Sequence, residues 1–220
     1  MGKPAGLLWS RSFSHGVHLS IADRLIEIAM VIVLIIGGYQ FYFWAQRQRW
    51  YEARFLETRF DSMISYDPRW VWVYSGLYYP MIVIAALSLP TWDEFAKATG
   101  CFLLLLAVQV CFFLYAPVEI PVHWRANARG PWEGTRSQRF IDVVWSYDKL
   151  RNSMPSMHVS VATMTDLTIW WNWPTIGHVG ILFPILIAIS ALKTKQHYVV
   201  DVVPGAALGA FVFWVWHLMI

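Results

Sequence analysis

Apolar and polar positions in this chain fall into long blocks, not short alternations. From Leu25 to Trp44 nearly every position is apolar. A run of about 20 such residues is what a helix needs to cross a hydrocarbon layer. Five further blocks follow: Val71–Leu89, which has no charged residue, Ala98–Val118, Met154–Trp173, Pro174–Leu192 and His197–Ile220. The pattern predicts an all-α fold, a six-span transmembrane helical bundle. In lipid the backbone must satisfy its own polar groups, and the two-residue alternation of a barrel strand is missing.

The connections sharpen this picture. Ala45–Trp70 and Glu119–Ser153 are long and rich in Arg, and the others are short. Within the second, Ser137–Asp148 puts Phe140, Ile141, Val144 and Trp145 on one side. This predicts an interfacial helix in the loop between spans three and four. Residues 1–24 form a polar N-terminal segment without a short apolar core and small-residue cleavage site, so no cleavable signal peptide is expected. The chain, 1–220, reads as a single integral membrane domain. In the last block Gly205 and Gly209 have GxxxG spacing. We expect it to bring that helix close to a neighbour in the same chain rather than to drive dimerisation. Pro204 is expected to bend the same helix.

Composition supports bilayer as the solvent. The chain is 57% hydrophobic and 14% charged, against about 25% charged in an ordinary soluble domain. Its 14 Trp and 10 Tyr suit the membrane–water boundary. A net charge of +3 excludes nucleic acid as an expected partner. Cys101 and Cys111 share one apolar run and predict neither a disulfide framework nor a zinc site. Six spans would place 13 Lys and Arg on the face of the long loops and four on the other. That bias puts the loops in the cytoplasm. An anion site would need cations on its own face, so the side of the active site stays open.

Polar residues inside spans are costly and usually functional. They gather at the starts of the fourth and sixth blocks, on one face of the bundle. The first start reads Asn152-Ser153-Met154-Pro155-Ser156-Met157-His158. The second reads Lys193-Thr194-Lys195-Gln196-His197-Tyr198-Val199-Val200-Asp201. His197 and Asp201 are four apart and share a helix face. A carboxylate there can hold one imidazole nitrogen and leave the other as a nucleophile. Pro155 at a helix start leaves backbone amides free for an anion, and Ser156 adds a hydroxyl. His158, one turn inside, can protonate a leaving oxygen. Lys193, Lys195 and Arg125 can neutralise charge on phosphoryl oxygens. His15, His18, His178 and His217 read as ordinary polar residues. Asp166 stands mid-span, where it would pair with a group such as Glu27 or face a cavity.

At these residues the sequence resembles the type 2 phosphatidic acid phosphatase superfamily, whose motifs are KxxxxxxRP, PSGH and SRxxxxxHxxxD. The second appears as Pro155-Ser156-Met157-His158. The third appears as Ser190, His197 and Asp201 at the family spacing. The resemblance covers roughly Ala98 to the C-terminus and makes residues 98–220 the catalytic part. It implies His197 as the nucleophile of a phosphohistidine intermediate, Asp201 as its orienter, His158 as the general acid and Ser156 as a phosphate ligand. The third motif's Arg falls on Ala191, with Lys193 or Lys195 as the substitute. The first motif is degenerate; Pro121-Val122-His123-Trp124-Arg125 is its nearest match, with Ala126 where Pro belongs. The phrases around His158 and His197 are closest to the branch that contains inositol phosphorylceramide synthases.

The expected activity is thus that of a metal-independent lipid phosphate phosphatase, with no cofactor. The bilayer and a lipid phosphate are its partners, and a multi-pass position in a bacterial inner membrane is its expected location. A head-group phosphotransferase of the same fold is the alternative. A non-catalytic or haem-binding membrane protein is the alternative of another class.

Overall fold

The computed structural model describes residues 19–127 and 130–220, apart from the side chains of His178 and Val179. The readings on Lys3, Arg11, His15, His18, Arg129 and the His178 side chain therefore lie outside the described residues. What is described is helical, with no strand. α1 is Ile21–Ala45, α2 Arg59–Met63, α3 Tyr78–Ser88, α4 Trp92–Tyr115 and α5 Val122–Ala126. α6 is Arg136–Tyr147, α7 Met157–Asn172, α8 Pro174–Gly180, α9 Leu182–Lys193 and α10 Val199–His217. A 3₁₀ turn, Pro68–Trp70, and a π-helical turn, Trp72–Leu77, lead into α3.

Local chemistry sets the ends. Ser20 and Asp23 form a capping box on α1, with the Ser20 amide donating to Asp23 Oδ2 at 2.8 Å. Thr91 caps α4, whose first turn carries Asp93 and Glu94 against the positive end of the helix dipole. Helices α3, α4 and α7 stop just before Pro90, Pro117 and Pro174, because the residue preceding a proline is pushed out of helical conformation.

All six apolar blocks contain helix, but not every helix is a crossing by length. Among the described residues three stretches are long and apolar enough by themselves: Pro68–Ser88, Trp92–Tyr115 and Val199–His217. Helix α7 has 16 residues, and the fifth block breaks near Ile181 into α8 and α9. Large apolar side chains face outward along α1 (Val33, Ile36), α4 (Leu103, Phe112) and α10 (Val203, Phe211). Such a surface needs lipid rather than water around it, and the protein is a membrane protein.

Helix α7 is the hub, packed against α3, α8, α9 and α10. The contact with α10 depends on two glycines. A Cβ at Gly205 would stand 2.7 Å from the Ser156 carbonyl oxygen, and one at Gly209 would stand 2.2 Å from that of Ser160. The GxxxG pair therefore works inside the chain, as its spacing predicts. Pro204 lies within α10, which continues through it.

The long loops are not loose. Their backbones are stitched together at one end of the bundle: Arg54 N donates to Pro117 O, Glu119 N to Arg54 O, Ile120 N to Leu150 O and Ser153 N to Val118 O. Helix α6 is amphipathic, as expected, but its apolar face does not lie free at the interface. Ile141 and Trp145 pack on Val71 at the start of the second block. The result is a polar cap over the helix ends that carry His158 and His197.

Asp166 and Glu27 do not pair. Glu27 is buried with Arg24 at 2.7 Å, while Asp166 lies against Gly180 of α8. The His217 ring packs edge-on to Trp171, with centroids 4.2 Å apart.

Candidate active site

Two imidazoles from different helices meet beneath the cap. His158 stands in the first turn of α7 and His197 just before α10, with ring centroids 6.4 Å apart. Both are largely buried, at 8% and 5% exposed.

His197 is fixed from behind. Its Nδ1 lies 2.8 Å from the backbone oxygen of Ser153 and 3.4 Å from Asp201 Oδ2. A carbonyl oxygen can only accept, so Nδ1 carries the hydrogen and Nε2 is left with its lone pair. Asp201 divides its effort. The same Oδ2 accepts the Tyr198 amide at 2.9 Å and so caps α10. The sequence points to Asp201 as the orienter; the nearer partner is a carbonyl that no side-chain motif reveals.

Ser156 is the N-cap of α7. Its hydroxyl oxygen accepts the Val159 amide at 3.4 Å, and its own amide donates to Asp201 O at 3.2 Å. The hydroxyl hydrogen remains available. The amides of Met157 and His158, in the first turn, have no intrahelical acceptor and form the positive end of the helix dipole.

The predicted cations separate into two groups. Arg125 of α5 reaches the site's edge. It forms an ion pair with Asp148, donates to Gln196 Oε1 at 2.9 Å and lies over the Trp145 ring. Its Nε is buried without a partner, as are Nε of Arg151 and Nε2 of Gln196. Unpaired buried donors are expensive, and three of them beside the histidine-bearing segments suit an anion. Lys193 and Lys195 are directed to the neighbouring loop instead. Lys193 donates to Ser65 Oγ at 3.0 Å, and Lys195 donates to the carbonyls of Ile64 at 2.6 Å and Asp61 at 3.2 Å. Burial pushes the Lys195 ammonium below its ordinary range, against the pull of Asp61. Ala191, where the motif Arg is expected, is fully buried.

His158 is enclosed by phenols. The Tyr74 hydroxyl lies 3.0 Å from Nδ1 and the Tyr39 hydroxyl 3.5 Å from Nε2. Tyr39 and Tyr78 also line an apolar cleft between α1, α3 and α4, with a cavity volume of about 140 Å³. The cleft runs toward Leu89, Phe95 and Ala98 at the far end of the bundle. Its lining is almost entirely apolar. Among the described residues no three His, Cys, Asp or Glu side chains gather as a metal site.

Asp148, Arg151, Gln196, Ser153 and the tyrosines were not singled out by sequence reasoning. Arg151, two residues before the Ser153 carbonyl, was the most accessible of these, because an Arg beside a phosphate-binding phrase is itself a signal.

Comparison with known proteins agrees with the motifs. A family model described as the PAP2 superfamily matches residues 54–215, well over half of the chain. No curated protein and no solved structure matches it.

Proposed function

The chain belongs to the PAP2 superfamily of phosphatases and phosphotransferases, and from that premise we propose that it is a multi-pass lipid phosphate phosphatase working through a phosphohistidine. The observation that carries this reading is the meeting of His158 and His197, with His197 Nδ1 occupied by the Ser153 carbonyl and Nε2 left free. Six crossings fit it, with α7 and the α8–α9 pair completed inside the bundle. A bacterial inner membrane is the proposed location.

In the first step the Nε2 lone pair of His197 forms a bond to phosphorus and the ester P–O bond breaks. The imidazolium of His158 gives its proton to the departing lipid oxygen. In the second step a water oxygen bonds to phosphorus, the N–P bond breaks, and the water's proton goes to His158. The cycle closes with atoms and charge balanced. The Asp201 carboxylate stabilises the positive charge that His197 gains. Ser156, Arg125 and the α7 amides hold the phosphoryl oxygens. Lys193 and Lys195 support the site by fixing the loop at residues 61–65. The lipid tail lies in the apolar cleft, entering from the bilayer, with its ester oxygen at the tyrosine end beside His158.

The two histidines start in opposite protonation states, so kcat/KM should follow a bell-shaped pH profile. Every step is assigned to side chains, so activity should survive EDTA.

A panel of lipid phosphates and phospholipids, assayed with and without inositol or another alcohol, tests the reading. Release of inorganic phosphate supports hydrolysis. A new lipid head group instead of free phosphate assigns transfer of the inositol phosphorylceramide synthase type. Loss of neither activity in His197→Ala removes the site assignment.

A further inference from the structure

The two histidines are held by chemically different partners. His197 has a backbone carbonyl and a carboxylate behind Nδ1. His158 has phenols on both nitrogens and aromatic faces around it. It stacks on Tyr74 with centroids 4.1 Å apart and tilts against Tyr78 at 4.7 Å.

The neighbouring bonds favour one place for the neutral ring's hydrogen. Tyr79 donates to the Tyr39 oxygen at 2.8 Å, which leaves the Tyr39 hydrogen free for His158 Nε2. Nε2 is then the acceptor, and the neutral ring carries its hydrogen on Nδ1, directed at the Tyr74 oxygen 3.0 Å away. The two bonds differ in strength. At 3.5 Å the Tyr39 contact is beyond ordinary hydrogen-bond length, so an incoming oxygen can replace it. The Tyr74 bond is of ordinary length and persists. Tyr74 itself sits in the π-helical turn Trp72–Leu77, a local widening that recurs at functional sites.

We propose that Tyr74 is a positioning residue: it locks His158 in the Nδ1–H tautomer and turns Nε2 toward the leaving oxygen at the mouth of the cleft. The phenol does this without adding a full negative charge, so no counter-charge opposes departure of the proton that His158 delivers. The lock is a property of the neutral ring and needs no substrate; in turnover His158 takes this form once its proton has gone to the leaving oxygen. Its use in catalysis rests on the phosphatase reading above.

Two measurements on the full chain in detergent micelles test it. The first needs no substrate. Nitrogen NMR of ¹⁵N-histidine-labelled protein, with the His158 signals assigned from His158→Ala, should show a neutral ring protonated on Nδ1. In Tyr74→Phe, which removes only the hydroxyl, that preference should be lost. An Nε2–H ring in the wild type, or an unchanged tautomer in Tyr74→Phe, overturns the proposal whatever the activity is. The second compares two phosphate monoesters in wild type and Tyr74→Phe. One is a long-chain lipid phosphate, whose alkoxide leaves poorly; the other is p-nitrophenyl phosphate, whose phenolate needs little help. Because misplacement by an ångström can cost about a hundredfold, kcat on the lipid phosphate should fall about tenfold to a hundredfold at constant KM. The aryl ester should lose less than about threefold. Equal losses on both esters mean Tyr74 is merely structural and overturn its positioning role. A wild type that turns over neither ester defeats the phosphatase reading while the tautomer result still stands or falls alone.

Discussion

Among the described residues three that are not glycine adopt the left-handed backbone conformation, and all three flank the paired histidines. Leu150 (φ 64°) and Asn152 (φ 71°) precede the Ser153 carbonyl that holds His197, and Lys195 (φ 55°) lies two residues before His197. For a side chain with a Cβ this region is unfavourable by about 1–2 kcal/mol, and such strain gathers at functional sites. Asn bears it most easily of the three. Leu150 also packs on the cluster of Val118, Ile120 and Tyr198. Leu150→Gly should therefore destabilise less than Leu150→Ala, because both lose that packing and only glycine relieves the strain. A Leu150→Gly protein with a lower Tm than Leu150→Ala would contradict the assignment of strain there. Asp67 supplies a pH test at the same scale. The Arg69 side chain beside it holds its carboxyl below the ordinary value of 3.8. Its contribution is then complete above that value and disappears as pH falls through the lower folded one. Asp67→Asn should cost under about 1 kcal/mol at pH 6, since the Arg69 partner is exposed. The difference from wild type should vanish in strong acid.

At the scale of elements, the glycine pair in α10 decides how closely α10 approaches α7. Gly209→Ala would press a methyl into the Ser160 carbonyl oxygen, 2.2 Å from the new carbon. Forced overpacking of this kind costs about 1–3 kcal/mol, read as a lowered Tm in detergent. It should also reduce turnover, because α10 and α7 carry the two histidines' supports. An unchanged Tm would mean the helices part without penalty. This contact was legible in the sequence, because GxxxG encodes it directly. So were the six apolar blocks and the pairing of His158 with His197, because block hydrophobicity and motif spacing are local signals. The cap was not. The bonds that join Arg54 to Pro117 and Ile120 to Leu150 link backbone groups far apart in sequence, and no side chain announces them. The same is true of Ser153, which acts through its carbonyl, and of Tyr74, whose place depends on a π-helical turn. The lysines read as phosphate ligands from their spacing to His197; in the structure their ammonium groups are bonded to the carbonyls of Asp61 and Ile64 and to Ser65, contacts that spacing does not encode.

For the whole molecule, one end of the bundle is polar and chemically equipped and the other is apolar with a few local ion pairs, such as Arg24 with Glu27 and Lys97 with Asp93. The cleft runs between the two regions, and Tyr39 and Tyr78 of its lining touch His158. In the proposed reading a phosphate would stay among hydrogen-bond donors while its tail stays out of water. The central claim is that His197 takes the phosphoryl group from a lipid held in this way. The most direct measurement is rapid acid-free quenching of the purified protein mixed with the ³²P-labelled lipid phosphate that the substrate panel identifies. It is followed by peptide mapping of the label. The account predicts a base-stable, acid-labile phosphate on His197, lost in His197→Ala and formed more slowly in His158→Ala. Label on another residue, or full turnover by His197→Ala, would contradict it.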